Sequence, residues 1–246
     1  MTIVTARRSA VRSCAAAAAQ FGPVSPYAHP SNQDDFVLAP RRTTHLTRCD
    51  VPCQRLRVTR TSPWSKTIDN VLLRDPTPAD VEVIATFRNL PEVSRWLVVT
   101  HESMEDLQDY WPSVTSSDTD FSCIAEVDGQ VAGLGYLEIH DGTGQPGKPQ
   151  GTDASIGYIV RPGCQGRGIG SAIASGIMEA AFVDLALRRV TAGCFADNIP
   201  SWRILEKAGL KREQHGRRDS WHAELGWIDG YTYSALSEDW LPKRGR

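Results

Sequence analysis

The stretch from Ile156 to Phe182, IGYIVRPGCQGRGIGSAIASGIMEAAF, constrains the fold of this chain more than any other. An apolar run of strand character feeds a glycine-rich turn, which opens into a segment placing Ile169, Ile173, Ile177 and Ala180 at helical spacing. So short a passage from strand to helix needs a sharply turned backbone, and Gly166, Gly168 and Gly170 supply it. The first turn of such a helix carries N–H groups without intrahelical partners at the positive end of its dipole. Glycines beside that end let a ligand approach the backbone closely, so the expected occupant is a phosphate group. A plain strand-to-helix turn is the alternative.

Spacing excludes two common nucleotide motifs. The P-loop pattern needs a lysine after its last glycine, but Gly170 is followed by Ser171 and Ala172. The dinucleotide fingerprint needs a glycine three residues beyond Gly168, where Ser171 stands. The hexapeptide QGRGIG, Gln165 to Gly170, follows an apolar strand and the pair Arg161 and Pro162. It resembles the pyrophosphate loop of the GNAT superfamily of acyl-CoA N-acyltransferases. Downstream, ADNIPSWRILEKAGLKRE, Ala196 to Glu213, is similar to the second signature of that family, in which an asparagine follows a strand and a helix ends in K-x-G. Order and spacing from about Val71 to Trp240 also resemble the subgroup that acetylates N-terminal amines of ribosomal proteins. The matching pieces are IGY at Ile156 to Tyr158, N-x-x-S at Asn198 and Ser201, and D-x-x-x-Y at Asp229 and Tyr233.

The resemblance implies an acetyl-CoA-dependent N-acetyltransferase and assigns roles to residues. Gln165, Gly166, Arg167, Gly168, Ile169, Gly170 and Ser171 would hold the diphosphate of coenzyme A. Backbone N–H groups of Tyr158, Ile159 and Val160 would face the tetrahedral oxyanion, and Gly157 would mark where the cofactor arm slips beside the strand. Asn198 would orient the pantetheine arm or a water, and Ser201, one turn on, would place a hydroxyl near the sulfur. A bare N-cap is the other role open to Asn198. The chain departs from the family pattern twice. Leu205 stands where a tyrosine is common, which shifts the proton-donor role toward Ser201. Ser155 stands where many relatives carry a glutamate, which leaves Glu138 and His140 on the neighbouring strand as substitutes for the base. An exposed hairpin carboxylate is the other reading of Glu138. Tyr233 would line the acceptor side, or fill core as strand aromatics do. His222 falls between the last strands with no partner assigned.

The acceptor must present an unprotonated amine. An α-amine titrates at about 7.7 to 8.0 and a lysine amine at about 10.4, so an α-amine needs less help from a base. A protein N-terminal α-amine and a small-molecule amine both stay open as acceptors. A reading from a different class is an inactive acyl-CoA-binding sensor or assembly module, motivated by Leu205 and Ser155.

Charge divides the chain. Residues 1–60 hold nine arginines against three aspartates and show neither helical nor strand period. They read, to about residue 65, as a disordered basic extension, with organelle targeting as the alternative. The remainder carries eight more acidic than basic side chains, which suits a cationic amine and argues against direct nucleic-acid binding. No apolar run reaches the roughly 18 residues of a membrane span, so no membrane partner is expected. Six cysteines without a C-x-x-C pair suggest a reduced, cytoplasmic protein with neither a disulfide framework nor a zinc ribbon. His45, Cys49 and Cys53 repeat every four residues, but Pro52 breaks the helix that would align them, so no metal is expected. The expected state is a monomer or homodimer.

From residue 66 to 246 the periodicities describe one α/β domain. Thr77, Pro78 and Asp80 read as a helix start, Pro91 to Trp96 as a short helix, and Ser103 as the start of a third with an apolar face of Met104, Leu107 and Tyr110. Alternation from Phe121 to Val127, the turn Asp128 and Gly129, and the return from Val131 to Ile139 predict a hairpin. Further strands are predicted over Ser155 to Val160, Arg189 to Phe195, Leu210 to Gln214 and Ile228 to Leu236. Helices are predicted from Gly168 to about Leu185 and from Pro200 to Gly209. The resemblance implies that the sheet is central, mixed, mostly antiparallel and flanked by helices, as in a single GNAT-like domain.

Overall fold

A computed structural model describes residues 61–244. The expected basic extension lies outside these residues up to position 60, as does the His45, Cys49 and Cys53 spacing. In chain order the strands are β1 (Lys66–Ile68), β2 (Val71–Arg74), β3 (Cys123–Val127), β4 (Gln130–His140), β5 (Asp153–Val160), β6 (Arg189–Phe195), β7 (Lys211–His222) and β8 (Gly226–Leu236). The helices are α1 (Asp80–Arg88), α2 (Pro91–Ser94), α3 (Met104–Val114), α4 (Ile169–Glu179), α5 (Ile199–Lys207) and α6 (Ser237–Arg244). All eight strands form one sheet in the order β1-β2-β3-β4-β5-β6-β8-β7. Every pairing is antiparallel except β5 with β6. The mixed, mostly antiparallel sheet is therefore present. Packing already begins at Trp64, which is buried and donates its indole N–H to the Phe121 carbonyl at 3.0 Å.

Two apolar cores cover the two faces of the sheet. One gathers α4 and α5 against Leu137, Ile156, Tyr158, Val160, Val190, Ala192 and Cys194. The other gathers α1, α2 and α3 against Ile124, Leu134, Tyr136 and Ile159. Because successive strand residues point to opposite faces, this assignment fixes where polar neighbours lie. Gly133 and Gly135 share the Leu137 face of β4. A methyl group on Gly133 would stand 2.5 Å from the Ile159 carbonyl oxygen and 2.9 Å from Ile173, and one on Gly135 would stand 2.7 Å from Cys123 Sγ and 3.0 Å from Ile177. These bare positions let α4 settle directly onto the strands, which sets the height of its N-terminus over the end of β5.

Local chemistry explains most boundaries. Asp128 (φ 51°) and Gly129 (φ 72°) make the two-residue turn of the β3–β4 hairpin. Ser103 caps α3 in a reciprocal box with Asp106. The buried stripe of α3 is Leu107, Trp111 and Val114; Met104 is exposed, because the first turn projects past the core. The first helix begins later than expected, at Asp80, whose carboxylate accepts from the Thr77 backbone and hydroxyl at 2.7 and 2.8 Å. Burial alone would raise the Asp80 pKa, but Arg74 and the Thr77 donors overcome it and hold the carboxyl below its usual range. Helix α2 is shorter than Pro91 to Trp96. The residues after α4 continue as a π turn, Ala180–Asp184, in which Ala180, Ala181 and Phe182 are all buried. The last hairpin is longer than Leu210 to Gln214 and Ile228 to Leu236, since long-range pairing with β8 recruits a polar β7 that has no apolar alternation of its own.

The seat of α4 generates a test. Gly133→Ala should destabilise the domain by about 1 to 3 kcal/mol in urea unfolding, the usual range for overpacking, because the added methyl meets a backbone carbonyl. A variant as stable as the parent would show that β4 and β5 can move apart at no cost.

Candidate active site between β5 and β6

Pairing between β5 and β6 covers only Asp153–Ser155 with Arg189–Thr191. From Ile156 onward the two strands diverge, while β5 stays paired to β4 as far as Val160 opposite Gly133. Backbone groups alternate along a strand, and Arg161 N–H bonds to the Ala132 carbonyl on β4, so in this register Tyr158 and Val160 turn their backbone groups toward the opening, while Ile159, expected to join them, faces β4. Gly157 lies two residues inside the opening. An unpaired strand edge inside a domain calls for a partner with its own donors and acceptors.

The glycine turn sits at the far end of this opening. Gly168 is the N-cap of α4 with φ 81°, and Gly166 has φ 75°. Both are in the left-handed region that a side chain disfavours, and nothing stands within 4 Å of a methyl group built on either. Conformation, not crowding, demands glycine here, and the space above is open. No side chain caps α4, its first turn holds no acidic residue, and the first helical bond runs from Ala172 N–H to the Gly168 carbonyl at 3.0 Å. The preceding N–H groups face outward with the dipole behind them, an arrangement that takes an anion. Gln165 and Arg167 are exposed, Ser171 is half-buried, and Ile169 and Gly170 are buried. The Ile169 side chain belongs to the core, so it offers a ligand only its backbone.

On the α4 and α5 side, three polar groups converge. The Tyr158 hydroxyl donates to the Ser201 carbonyl at 3.0 Å, tying β5 to the first turn of α5. The Ser201 hydroxyl is fully buried, has no partner of hydrogen-bonding geometry, and lies against the Cys194 thiol. Burial pushes that thiol up to about 11, and the serine hydroxyl only partly offsets it, so Cys194 is a protonated thiol at neutral pH. Burial likewise raises the Tyr158 phenol well above its ordinary value. Asn198 occupies the N-cap of α5 and is 1 % exposed, yet its side chain does not cap the helix. The sequence reading assigned Tyr158 only a backbone role and left Cys194 out. Their contacts with Ser201 span β5, β6 and α5, and no local pattern announces them.

On the opposite face, Glu138 stands directly across from Ser155 in the β4–β5 register. Ser155 Oγ lies 3.1 Å from His140 Nε2 and 3.4 Å from Thr191 Oγ1, so a polar row crosses the sheet where the opening begins. Glu138 is half-buried, not an exposed hairpin carboxylate. Tyr233 is placed elsewhere. Its ring is buried, its hydroxyl donates to Glu206 Oε1 at 2.9 Å, and burial followed by that carboxylate raises its pKa. It packs in the α4 and α5 core and not on the face that carries Glu138. Leu205, at the position of the missing tyrosine, is fully buried in the same core. Among the described residues no cluster suited to a metal ion occurs, and no helix is long and apolar enough to cross a membrane.

Comparison with known proteins places this geometry. A family model described as an acetyltransferase (GNAT) domain matches residues 70–211. The uncharacterized N-acetyltransferase YnaD of Bacillus subtilis (strain 168) is 35 % identical over 85 residues, covering 35 % of this chain and 49 % of YnaD, so the match spans about half of that relative. The aminoglycoside N(6')-acetyltransferase type 1 of Serratia marcescens is 23 % identical over 167 residues, covering 65 % of this chain and 83 % of the relative. Among solved structures, spermidine N-acetyltransferase from Vibrio cholerae in complex with CoA and spermine superposes with a TM-score of 0.62 at 18 % identity, covering 71 % and 99 % of the two chains. RimL, a ribosomal L7/L12 alpha-N-protein acetyltransferase in complex with coenzyme A, gives 0.59 at 16 % identity, covering 70 % and 97 %. These two similarities concern the fold. With a family match over more than half of its length, and with strands that part beside a glycine-capped helix, the chain belongs to the acetyltransferase (GNAT) domain family.

Proposed function

We propose that this protein transfers the acetyl group of acetyl-CoA to a primary amine, and that the acceptor is the N-terminal α-amine of a protein. The observation that carries the transfer reaction is the open edge of β5 leading to the uncapped N-terminus of α4. A pantetheine arm, with its two amides, fits an unpaired strand edge, and a diphosphate fits the glycine-capped helix end beyond it. Gln165 to Ser171 hold the diphosphate chiefly through backbone N–H groups, with Arg167 adding positive charge.

The two faces of the opening divide the chemistry. The amine approaches on the face of Glu138, Ser155 and Thr191, where the carboxylate, directly or through a water, removes the ammonium proton. Attack on the thioester carbonyl builds an oxyanion that the open-edge backbone N–H of Tyr158 or Val160 stabilises. The thiolate leaves on the other face, where the Ser201 hydroxyl supplies a hydrogen bond and Asn198 positions the arm. Burial of Cys194 and its raised pKa suit a structural thiol rather than a nucleophile, in keeping with direct transfer. Support for the α-amine as acceptor comes from the resemblance of IGY at Ile156 to Tyr158 and of N-x-x-S at Asn198 and Ser201 to the subgroup that acetylates N-terminal amines, and from the lower pKa of α-amines. Incubation with acetyl-CoA and a panel of N-terminal peptides, polyamines and aminoglycosides, followed by free-thiol release, tests the reaction. Release no faster than hydrolysis with every amine would leave an acyl-CoA-binding module.

Three substitutions probe the parts. Gly168→Val forces a β-branched residue into the left-handed region and should weaken acetyl-CoA binding about tenfold or more in calorimetric titration. Unchanged affinity in a folded variant would remove the glycine turn from the site. Ser201→Ala should lower kcat about ten- to a hundredfold, roughly 1.4 to 2.7 kcal/mol, while the acetyl-CoA Kd stays the same, since the bond strengthens only as charge develops on sulfur. Glu138→Gln should show a rate deficit that shrinks as pH rises toward the pKa of the acceptor amine, where the base is no longer needed. A deficit constant across pH would assign Glu138 a structural role.

A further inference from the structure

His222 ends β7, and its ring is buried between Phe195, the last residue of β6, and Trp96, which follows α2. Ring centroids are 5.2 Å apart in both pairs, and each meets edge to face. The hairpin reaches this place through a bulge between Gly216 and Ser220, where Arg218 adopts φ 48°; bulges bend the strand that carries them. The segment behind Trp96 is held from below. Arg88 and Glu102 form a buried ion pair at 3.1 Å, Arg88 also donates to the Val99 carbonyl at 2.7 Å, and the Asn89 side-chain amide donates to the Glu102 carbonyl and accepts from the Glu102 N–H. A single exposed ion pair, Arg95 with Glu224 at 3.3 Å, joins that segment to the hairpin turn.

The ring is fixed as a donor. Nδ1 accepts from the backbone N–H groups of Glu224 and Leu225 at 3.2 and 3.3 Å, which requires its lone pair, so the neutral ring carries its hydrogen on Nε2. Nε2 is buried and has no partner among the described residues. Buried donors are almost always satisfied, so one held in place without a partner points to a missing acceptor atom. Its location says which. Phe195 and Thr191 lie on the same face of β6, about 13 Å apart along the strand, and Thr191 is in the polar row with Ser155 across from Glu138. His222 is thus on the face where the amine approaches, beyond the end of the parted strands.

We infer that His222 is a positioning residue that reads the acceptor: its Nε2–H binds a backbone carbonyl oxygen near the N-terminal amine of a peptide, in a slot flanked by Trp96 and Phe195. This rests on the acceptor side proposed above. For a ligand to reach Nε2 the half-buried Trp96 ring has to turn aside, while Arg88 and Asn89 hold the backbone behind it. The arrangement selects against polyamines, which carry only N–H donors and would leave Nε2–H facing another donor. The same geometry makes His222 unsuited to be the general base, because the nitrogen nearest the ligand already carries hydrogen.

The test is calorimetric binding to the full chain saturated with coenzyme A, which reads the acceptor side without turnover. Probes are tripeptide amides beginning with Ala, Ser or Met, spermidine, and kanamycin. The parent should bind the best tripeptide at least about tenfold more tightly than spermidine. His222→Phe, which keeps an aromatic ring in the slot, should lose about tenfold in peptide affinity with spermidine and acetyl-CoA affinities unchanged. His222→Gln, which places an amide donor near the position of Nε2, should recover part of the loss. Equal peptide affinity in the parent and His222→Phe would overturn the inference, as would no peptide binding, spermidine binding as tight as the peptide, or kanamycin binding tighter than it. Failure of thiol release with every amine would overturn the reaction itself, a result that the binding series reads independently.

Discussion

Hydrogen bonding between β5 and β6 stops at Ser155 and Thr191, and the site exists because it stops there. Had the parallel ladder continued to Val160 and Phe195, the backbone of β5 would be satisfied on both sides and would offer a ligand nothing. Parting the strands leaves a row of peptide groups that only water or an amide-bearing chain can satisfy. It also gives the gap two chemically different sides. Tyr158, Ser201 and Cys194 lie toward one, while Glu138, Ser155 and Thr191 lie toward the other.

The opening is useful only if the anion site is held at its end, and that depends on side chains that are absent. Gly133 and Gly135 remove the bulk that would lift α4 off the strands, and Ile173 and Ile177 fill the space instead. The helix axis, and with it the row of uncapped N–H groups at Gly168 to Gly170, is positioned by packing nearly three turns deep. The segment around Trp96 is held differently, by charge. Breaking a buried pair such as Arg88 with Glu102 by removing one partner typically costs about 3 to 5 kcal/mol, so the segment that carries Trp96 is anchored more firmly than its place between helices suggests.

What could be read from the sequence was set by local backbone chemistry. The spacing of Gly166 and Gly168, the Asp128–Gly129 turn and the helix start at Ser103 each act over a few residues, and each is found in the structure. What could not be read depends on register. The opposition of Glu138 and Ser155 follows from a β4–β5 pairing across a long loop, and the bond from Tyr158 to Ser201 joins residues 43 apart. The alternation expected of β3 fails at Ile124, which is fully buried, because helices cover both faces of the sheet there. Beyond the strand expected to end at Gln214, β7 carries Arg217, Arg218 and Asp219, a composition that reads as loop until β8 is placed beside it. His222 was visible in the sequence only as a histidine without a partner; its burial depends on the bend of that hairpin.

The same charged strand settles how the sheet ends. Among the described residues the eight-stranded sheet has two unpaired margins, β1 and β7, and an unpaired margin is a template on which another chain can add a strand. At one margin β1 is three residues long, and Lys66 is tied down to Glu179 and Asp184 beside it. At the other, a strand long enough to recruit a neighbour is studded with cations and carboxylates and broken by two bulges. A second sheet approaching that margin would meet desolvation of charges before it met free N–H groups. The hairpin thereby combines length, which lets its end reach Trp96 and Phe195, with resistance to fibre-like growth through its outer edge.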